Sequence, residues 1–163
     1  MTPLVFAGVF TCMWPGANYW ALAIFIVASL TDTLDGYIAR HYNQTTDFGK
    51  FMDPLADKCL VTAAMLWFVE IGHMPGWALL IVIVREFAVS GLRMVAADKG
   101  RVIAAGWSGK VKTASTMVCI CLMLLLPRFV ELSAICVAVI VLTTIWSGVE
   151  YFMKNLDVLS EVK

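Results

Sequence analysis

Apolar runs of about 20 residues follow one another along the chain, and each run ends at a short stretch that is polar or contains proline or glycine. A helix that crosses the hydrocarbon core of a bilayer needs about 20 residues, so runs of this length fit membrane spans. The pattern predicts helices at 18–40, 47–71, 77–98, 108–126 and 129–155, with a shorter apolar segment from Pro3 to Trp14 before them. The expected architecture is five full spans and one partial span.

The composition agrees with lipid as the main solvent. Hydrophobic residues make up 61% of the 163 residues and charged residues 15%, and the mean hydropathy is +0.84. Soluble domains carry about 25% charged residues, so this chain lacks the polar exterior that water requires. The formal net charge is zero and no basic stripe occurs, which argues against nucleic acid as a partner. The five cysteines show no metal-type spacing and are expected to be packing residues.

Lysine and arginine are distributed unevenly between the predicted connections. The connections near 40–50 and 98–112 and the C-terminal tail carry Arg40, Lys50, Lys99, Arg101, Lys110, Lys112, Lys154 and Lys163. The opposite connections, at 72–76 and 127–128, hold only Arg128. Because cytoplasmic loops carry the excess of positive residues, we expect a multi-pass membrane protein whose 40–50 connection faces the cytoplasm.

Four carboxylates, those of Asp32, Asp35, Asp53 and Asp57, lie in or beside apolar helical sequence. Charges at membrane depth are costly and usually mark a working site. At about 100° per residue, the first two acids share one helix face and the last two share a face of the next helix. A short turn through 43–46 would let both pairs reach one space. Four like charges there need a counter-charge, and oxygen ligands select a hard cation, so we expect one or two Mg²⁺ or Mn²⁺ ions.

The spacing of these acids also resembles the motif of a known family. The sequence reads D-x-x-D-G-x-x-A-R from Asp32 to Arg40 and, after eight residues, G-x-x-x-D-x-x-x-D from Gly49 to Asp57. This pattern resembles the motif of the CDP-alcohol phosphatidyltransferases, which are integral-membrane enzymes. The segments 84–93 and 108–113 resemble the bacterial phosphatidylglycerophosphate synthase branch of that family. Together these blocks cover most of residues 19–113.

The resemblance implies one transmembrane domain over residues 1–163 in the bacterial cytoplasmic membrane, folded as an all-α six-helix bundle and assembled as a homodimer. The first helix of the family bears an Asn-x-x-Thr-x-x-Arg type of element, which is missing here, so we expect a shortened first helix. A secretory signal peptide is a weaker explanation for the first apolar segment, because no lysine or arginine precedes Arg40.

The resemblance also implies roles for the motif residues. The four acids are expected to hold two divalent ions, and Asp57 is also expected to take the proton from the incoming hydroxyl group. The residues expected to lie against the CDP-lipid are Gly36, Ala39, Arg40 and Gly49. The implied reaction transfers the phosphatidyl group from CDP-diacylglycerol to glycerol 3-phosphate and releases CMP.

A second cluster is basic and is expected to bind the phosphate of the acceptor. Its members are Arg85, Ser90, Arg93, Lys110 and Lys112, with Thr113 as a further candidate donor. Arg85 interrupts an apolar run, and the two lysines open a helix, where their charge opposes the helix dipole unless an anion lies nearby. The alternative is structural: the lysines would anchor a helix at the membrane surface, and Arg85 would pair with Glu86 or with another helix.

Other interpretations stay open from the sequence. The acids could form a structural network of ion pairs with Arg40, Lys50 and Lys58. A member of the same family could use another acceptor, such as an inositol phosphate. A divalent-cation transporter would also place acids inside the membrane, without needing a CDP-lipid. A chain without the first half-helix could be a catalytically silent interaction protein.

Overall fold

The computed structural model describes residues 22–27, 31, 47–98, 100, 103 and 106–156, apart from the side chains of 47–57 and 98. These residues are helical or lie in short turns, and they include no strand. Four long helices follow one another: α1 Asp47–Glu70, α2 Gly76–Asp98, α3 Trp107–Leu125 and α4 Val130–Lys154. The all-α prediction is confirmed for this part of the chain.

The limits predicted for these four helices agree with the structure to within one residue at each end. The predicted helix 18–40 is helical at 22–27 and at residue 31, and its other residues lie outside the described part. The predicted segment from Pro3 to Trp14 lies outside it as well. The six-helix count and the shortened first helix therefore stay predictions.

α1 continues through Pro54, although proline has no amide hydrogen and usually ends or kinks a helix. Pro54 does not open the helix, because α1 begins at Asp47, about two turns earlier. Asp53 and Asp57 consequently lie on one continuous helix, four residues apart. A shared helix face for these two residues requires that continuity.

α3 and α4 form a helical hairpin, α2 packs against α4, and α1 packs against α2 and α3. The buried residues of α3 recur every three or four positions and are Ser108, Lys112, Thr116, Cys119, Ile120, Met123 and Leu124. Those of α4 are Ser133, Cys136, Val137, Ile140, Val141, Thr144, Ser147 and Tyr151. Each helix thus buries one stripe, and the small Ser and Thr side chains allow close approach between helices, as in membrane bundles.

The outer surfaces of α3 and α4 are apolar. On α4, Ile135, Leu142, Ile145 and Met153 are exposed. Both helices are long and apolar enough to cross a membrane, and most of the apolar stretch in each lies on the outside of the bundle. A soluble protein would bury faces of this kind, so the described residues are consistent with a membrane protein.

The turn between α1 and α2 is closed by Gly72, whose φ of 76° is strained for residues that carry a side chain. The amide of His73 donates to the carbonyl of Phe68 at 2.9 Å, and that of Gly72 donates to Val69 at 3.1 Å, which is a Schellman motif. Oγ of Ser133, in the first turn of α4, lies 3.5 Å from Nδ1 of His73. The 71–75 and 126–129 turns therefore lie at the same end of the bundle.

Candidate functional site

A cavity of about 530 Å³ lies between α1, α2 and α3, toward the end of the bundle opposite these two turns. The polar residues of its wall are Lys58, Thr62, Arg85, Glu86, Ser90, Arg93, Lys110, Lys112, Thr113 and Thr116. Apolar side chains, including Val61, Val82 and Met117, form much of the remaining wall. The structure thus brings all five residues of the predicted acceptor cluster around one space.

Glu86 is the shared partner of three cations in this wall. Nζ of Lys112 lies 2.7 Å from its Oε1, and Nη1 of Arg85 lies 3.0 Å from the same oxygen. Nζ of Lys58 lies 3.7 Å from Oε2, and it also donates to Oγ of Ser90. Charge-assisted hydrogen bonds of this kind fix side-chain positions, and the carboxylate offsets repulsion between the cations. Glu86 therefore joins groups from α1, α2 and α3 at one point.

Arg85 is held closely against α3 and α4. A Cβ added to Gly148 would lie 3.3 Å from Cγ of Arg85, and one added to Gly109 would lie 3.8 Å from its Nη2. The Arg85 side chain is only 13% exposed, and its Nε–H finds no acceptor among the described residues. Arg85 pairs with Glu86, as the structural alternative predicts, and it also lines the cavity, so its role in binding an acceptor phosphate stays a prediction.

The two lysines at the start of α3 have different surroundings. Lys112 is 5% exposed and donates to Glu86, so it is not an anchor at the membrane surface. Lys110 is exposed and also contributes to the cavity wall, which suits either prediction made for it. No side chain caps α3 at Gly106, so the positive end of the helix dipole adds to the charge of both lysines.

Arg93 reaches from α2 to α4. Its Nε donates to the hydroxyl group of Tyr151 at 2.9 Å, and its guanidinium carbon lies 5.3 Å from the centre of the Tyr151 ring. Tyr151 is buried with Val89 and Leu92 in a small apolar cluster. This contact fixes the position of Arg93, which is otherwise exposed, but does not use its terminal nitrogens Nη1 and Nη2. These two nitrogens can still donate hydrogen bonds to another group.

The acid motif lies only partly within the described structure. Residues of the motif that fall outside it are Asp32, Asp35, Gly36, Ala39 and Arg40. Gly49, Asp53 and Asp57 lie on α1, and their side chains fall outside the description. Among the residues that are described, no three His, Cys, Asp or Glu side chains are grouped so as to hold a metal ion. The four-acid metal site and the CDP-lipid contacts therefore stay predictions.

The register of α1 nevertheless connects the motif to the cavity. Asp53, Asp57 and Val61 follow one another at intervals of four residues, so they lie along one stripe of the helix, about 6 Å apart along its axis. Val61 is part of the cavity wall. The last acid of the motif is thus one helical turn from the cavity. Two carboxylates one turn apart on a continuous helix also fit a site for a hard divalent ion.

Comparison with known proteins identifies the family. A family model described as CDP-alcohol phosphatidyltransferase matches residues 1–146. The chain belongs to the CDP-alcohol phosphatidyltransferase family. The resemblance inferred from the acid motif is therefore confirmed.

Two relatives of this phosphatidyltransferase carry the same name, CDP-diacylglycerol–glycerol-3-phosphate 3-phosphatidyltransferase. The protein of Bacillus subtilis (strain 168) is 45% identical over 150 residues, which cover 89% of this chain and 78% of the relative. The protein of Escherichia coli (strain K12) is 40% identical over 139 residues, which cover 80% of this chain and 75% of the relative. The similarity thus extends well beyond the acid motif.

Five polar residues at the cavity of this phosphatidyltransferase or beside it have no site role predicted from the sequence: Lys58, Thr62, Glu86, Thr116 and Tyr151. The sequence suggests Glu86 only as a partner of Arg85, and Lys58 only as a partner of the acids. A period of four residues from Lys112 would have placed Thr116 on the same face of α3. Tyr151 had no such signal, because its contact with Arg93 depends on how α2 and α4 pack.

Proposed function

We propose that this phosphatidyltransferase transfers the phosphatidyl group from CDP-diacylglycerol to glycerol 3-phosphate, giving phosphatidylglycerophosphate and CMP in phospholipid biosynthesis. The observation that carries the proposal is the group of basic side chains around one cavity, one helical turn from the acid motif. The names of the Bacillus and Escherichia relatives, which state the same donor and acceptor, support it.

The charge of the cavity suits a phosphate monoester. Its described wall carries five basic residues, Lys58, Arg85, Arg93, Lys110 and Lys112, against the single carboxylate of Glu86. A dianionic phosphate offsets this excess, and the two arginines offer forked donors that match phosphate oxygens. An uncharged alcohol would leave the cations to repel one another. The charge balance therefore favours a phosphorylated acceptor over free glycerol or inositol.

The CDP-lipid binds at the acid motif in this proposal. The family generally depends on divalent metal ions, and the four acids of the motif would hold two ions of Mg²⁺ or Mn²⁺. When bound, such ions offset the negative charge that gathers on the two phosphates during transfer. Gly36, Ala39 and Gly49 have small side chains or none, which allows a nucleotide to approach the backbone. Arg40 supplies a forked donor for the diphosphate.

In this proposal the acceptor extends from the basic cavity to the acid motif. With its phosphate on Arg85 and Lys112, its primary hydroxyl group extends past Val61 toward Asp57. Asp57 takes the proton of that hydroxyl group as its oxygen attacks the phosphorus that carries the diacylglycerol. The bond from this phosphorus to the CMP oxygen breaks, and CMP leaves with the electron pair. The work of the protein is therefore mainly to position two anionic substrates.

In this proposal the protein spans the bacterial cytoplasmic membrane, and its cavity opens toward the cytoplasm. Support comes from the location of the cavity near the start of α3, because the connection before α3 is one of the lysine- and arginine-rich segments. Glycerol 3-phosphate and CMP are soluble in water and must exchange with that compartment. A homodimer is expected from the family resemblance.

The test uses the full chain, purified in detergent, with CDP-diacylglycerol, Mg²⁺ and one acceptor at a time: glycerol 3-phosphate, an inositol phosphate or glycerol. We expect CMP release and a product with the mass of phosphatidylglycerophosphate from glycerol 3-phosphate. Chelation of Mg²⁺ should stop the reaction, and its return should restore it. A product from the inositol phosphate alone would contradict the acceptor assignment. Mn²⁺ flux into proteoliposomes without any CMP release would indicate a transporter.

A further inference from the structure

Thr116 has an unusual position for a threonine in an apolar helix. It belongs to the cavity wall and is 2% exposed, yet its hydroxyl group has no hydrogen-bond partner among the described residues. A buried polar group without a partner destabilises the folded state, and such groups are rare in native proteins. The missing partner therefore calls for an explanation.

Several other hydroxyl groups in the same bundle donate to nearby helix carbonyls, although that of Thr144, outside the cavity wall, does not. Thr113 donates to the carbonyl of Gly109 at 3.0 Å, Ser115 to Lys112 at 2.9 Å, and Thr143 to Val139 at 2.8 Å. This local bond is the usual one for Ser and Thr within helices. Thr116 does not use it, so its hydroxyl group, in a residue of the cavity wall, has no hydrogen bond within the described structure.

The location of Thr116 matches a particular part of the acceptor. Thr116 follows Lys112 by one turn of α3, about 6 Å along the helix axis. Lys112 belongs to the phosphate end of the cavity, where it contacts Glu86. The wall also includes Val61, Val82 and Met117, which offer no side-chain hydrogen bond. A hydroxyl group next to the phosphate of a bound polyol would therefore find Thr116 as a partner that can both donate and accept.

We infer that Thr116 recognises the secondary hydroxyl group of glycerol 3-phosphate, the one that does not react, and so contributes to acceptor specificity. The inference rests on the proposed function, because it needs a phosphorylated polyol in the cavity. The unpaired Nε–H of Arg85, in the same wall, supplies a second donor. A site built to bond a substrate hydroxyl discriminates against the analogue without it, since the protein group is then left unpaired.

The experiment compares two acceptors and two forms of the full-length enzyme. The acceptors are glycerol 3-phosphate and 3-hydroxypropyl phosphate, which lacks only the secondary hydroxyl group. The forms are the wild type and Thr116→Val, which removes the hydroxyl group with little change of shape. We expect the wild type to prefer glycerol 3-phosphate by about tenfold or more in kcat/KM. In Thr116→Val, kcat/KM should fall for glycerol 3-phosphate and stay nearly unchanged for the analogue, so that the preference disappears.

Thr144→Val is the matched control. Thr144 is fully buried on α4, its hydroxyl group is likewise unpaired among the described residues, and it is not part of the cavity wall. This variant should keep the wild-type preference. Thr116→Ala repeats the deletion with a smaller side chain in case valine prevents folding, and thermal unfolding reports on folding in each variant.

The outcomes separate two kinds of failure. A Thr116→Val or Thr116→Ala enzyme that keeps the preference, or that loses the same factor with both acceptors, would overturn the inference and leave the proposed function intact. A wild-type enzyme that does not use glycerol 3-phosphate at all would overturn the proposed function and the inference with it.

Discussion

Nζ of Lys112 on α3 lies 2.7 Å from Oε1 of Glu86 on α2, and the same oxygen accepts a bond from Arg85. Lys112 is buried, so without this carboxylate its charge would have no counter-charge in the described part of the cavity. A buried cation is tolerated only where an anion and hydrogen bonds compensate its loss of water. Glu86 thus makes the basic cavity stable while it is empty, and an anionic substrate would add a second compensating charge.

Glu86→Gln should destabilise the substrate-free protein and make it depend on added anion. We expect a loss of about 2 kcal/mol, below the value for a fully buried pair because the Glu86 side chain is 23% exposed. Inorganic phosphate should raise the Tm of this variant more than that of the wild type, since the anion replaces the missing charge. Thermal unfolding in detergent measures both effects.

Glu70→Gln is the control for this prediction, because Glu70 is exposed and is the last residue of α1, at the end of the bundle away from the cavity. Its Tm should show little response to the substitution or to phosphate. Equal phosphate shifts in the wild type and Glu86→Gln would show that Glu86 does not balance the charge of the cavity.

Arg85→Lys should impair acceptor binding more than donor binding. Lysine keeps the positive charge but lacks the several N–H donors of the guanidinium group. One side chain can then no longer contact Glu86 and also make a bidentate contact with phosphate. We expect the KM for glycerol 3-phosphate to rise about tenfold, with a much smaller change in the KM for CDP-diacylglycerol. Initial rates of CMP release give both constants. Arg128→Lys, in the exposed turn at the opposite end of the bundle, should leave them unchanged, and an unchanged acceptor KM in Arg85→Lys would contradict the proposed acceptor site.

Gly148→Ala should weaken binding of the acceptor by displacing Arg85. The new methyl group would lie 3.3 Å from Cγ of Arg85, closer than most carbon contacts, so the arginine must shift by a few tenths of an ångström. We expect the acceptor KM to rise a few-fold with little change in kcat, since positioning tolerates only small errors. Gly91→Ala is the matched control, because a Cβ there meets nothing within 4 Å. If both variants gave the same KM, the packing of Arg85 on Gly148 would have no role in binding.

Asp57→Asn tests the assignment of the base and metal ligand. The amide cannot take a proton and is a poorer ligand for a hard cation, so transfer should fall by at least about 100-fold. In the absence of metal the Tm should change little or rise, because the motif then carries one negative charge fewer. The matched substitution Glu70→Gln lies at the other end of α1, in an exposed position, and should retain full activity. An Asp57→Asn enzyme with intact CMP release and only a lower Tm would favour the structural ion-pair network instead.

The helix limits could be predicted because each helix ends where the chain becomes polar or where glycine or proline occurs. The composition of the basic cavity could be predicted in part, since Arg85 and Lys112 stand out as charges in apolar sequence. The roles of Glu86 and Tyr151 could not, because each depends on contacts between helices that a linear pattern does not contain. The metal site depends on how residues 32–40 lie relative to α1, and it stays a prediction.

Pro54 has a consequence for the depth of α1 in the bilayer. Since proline has no amide hydrogen, the carbonyl oxygen of Lys50, four residues earlier, cannot receive the usual bond of the helix ladder. Hydrocarbon offers no partner in its place, and leaving such an oxygen without one costs several kcal/mol. A position of the opening turns of α1 in the hydrated headgroup layer would avoid this cost, because water there can bond the free carbonyl, small polar solutes arrive from solution and lipids present their phosphates.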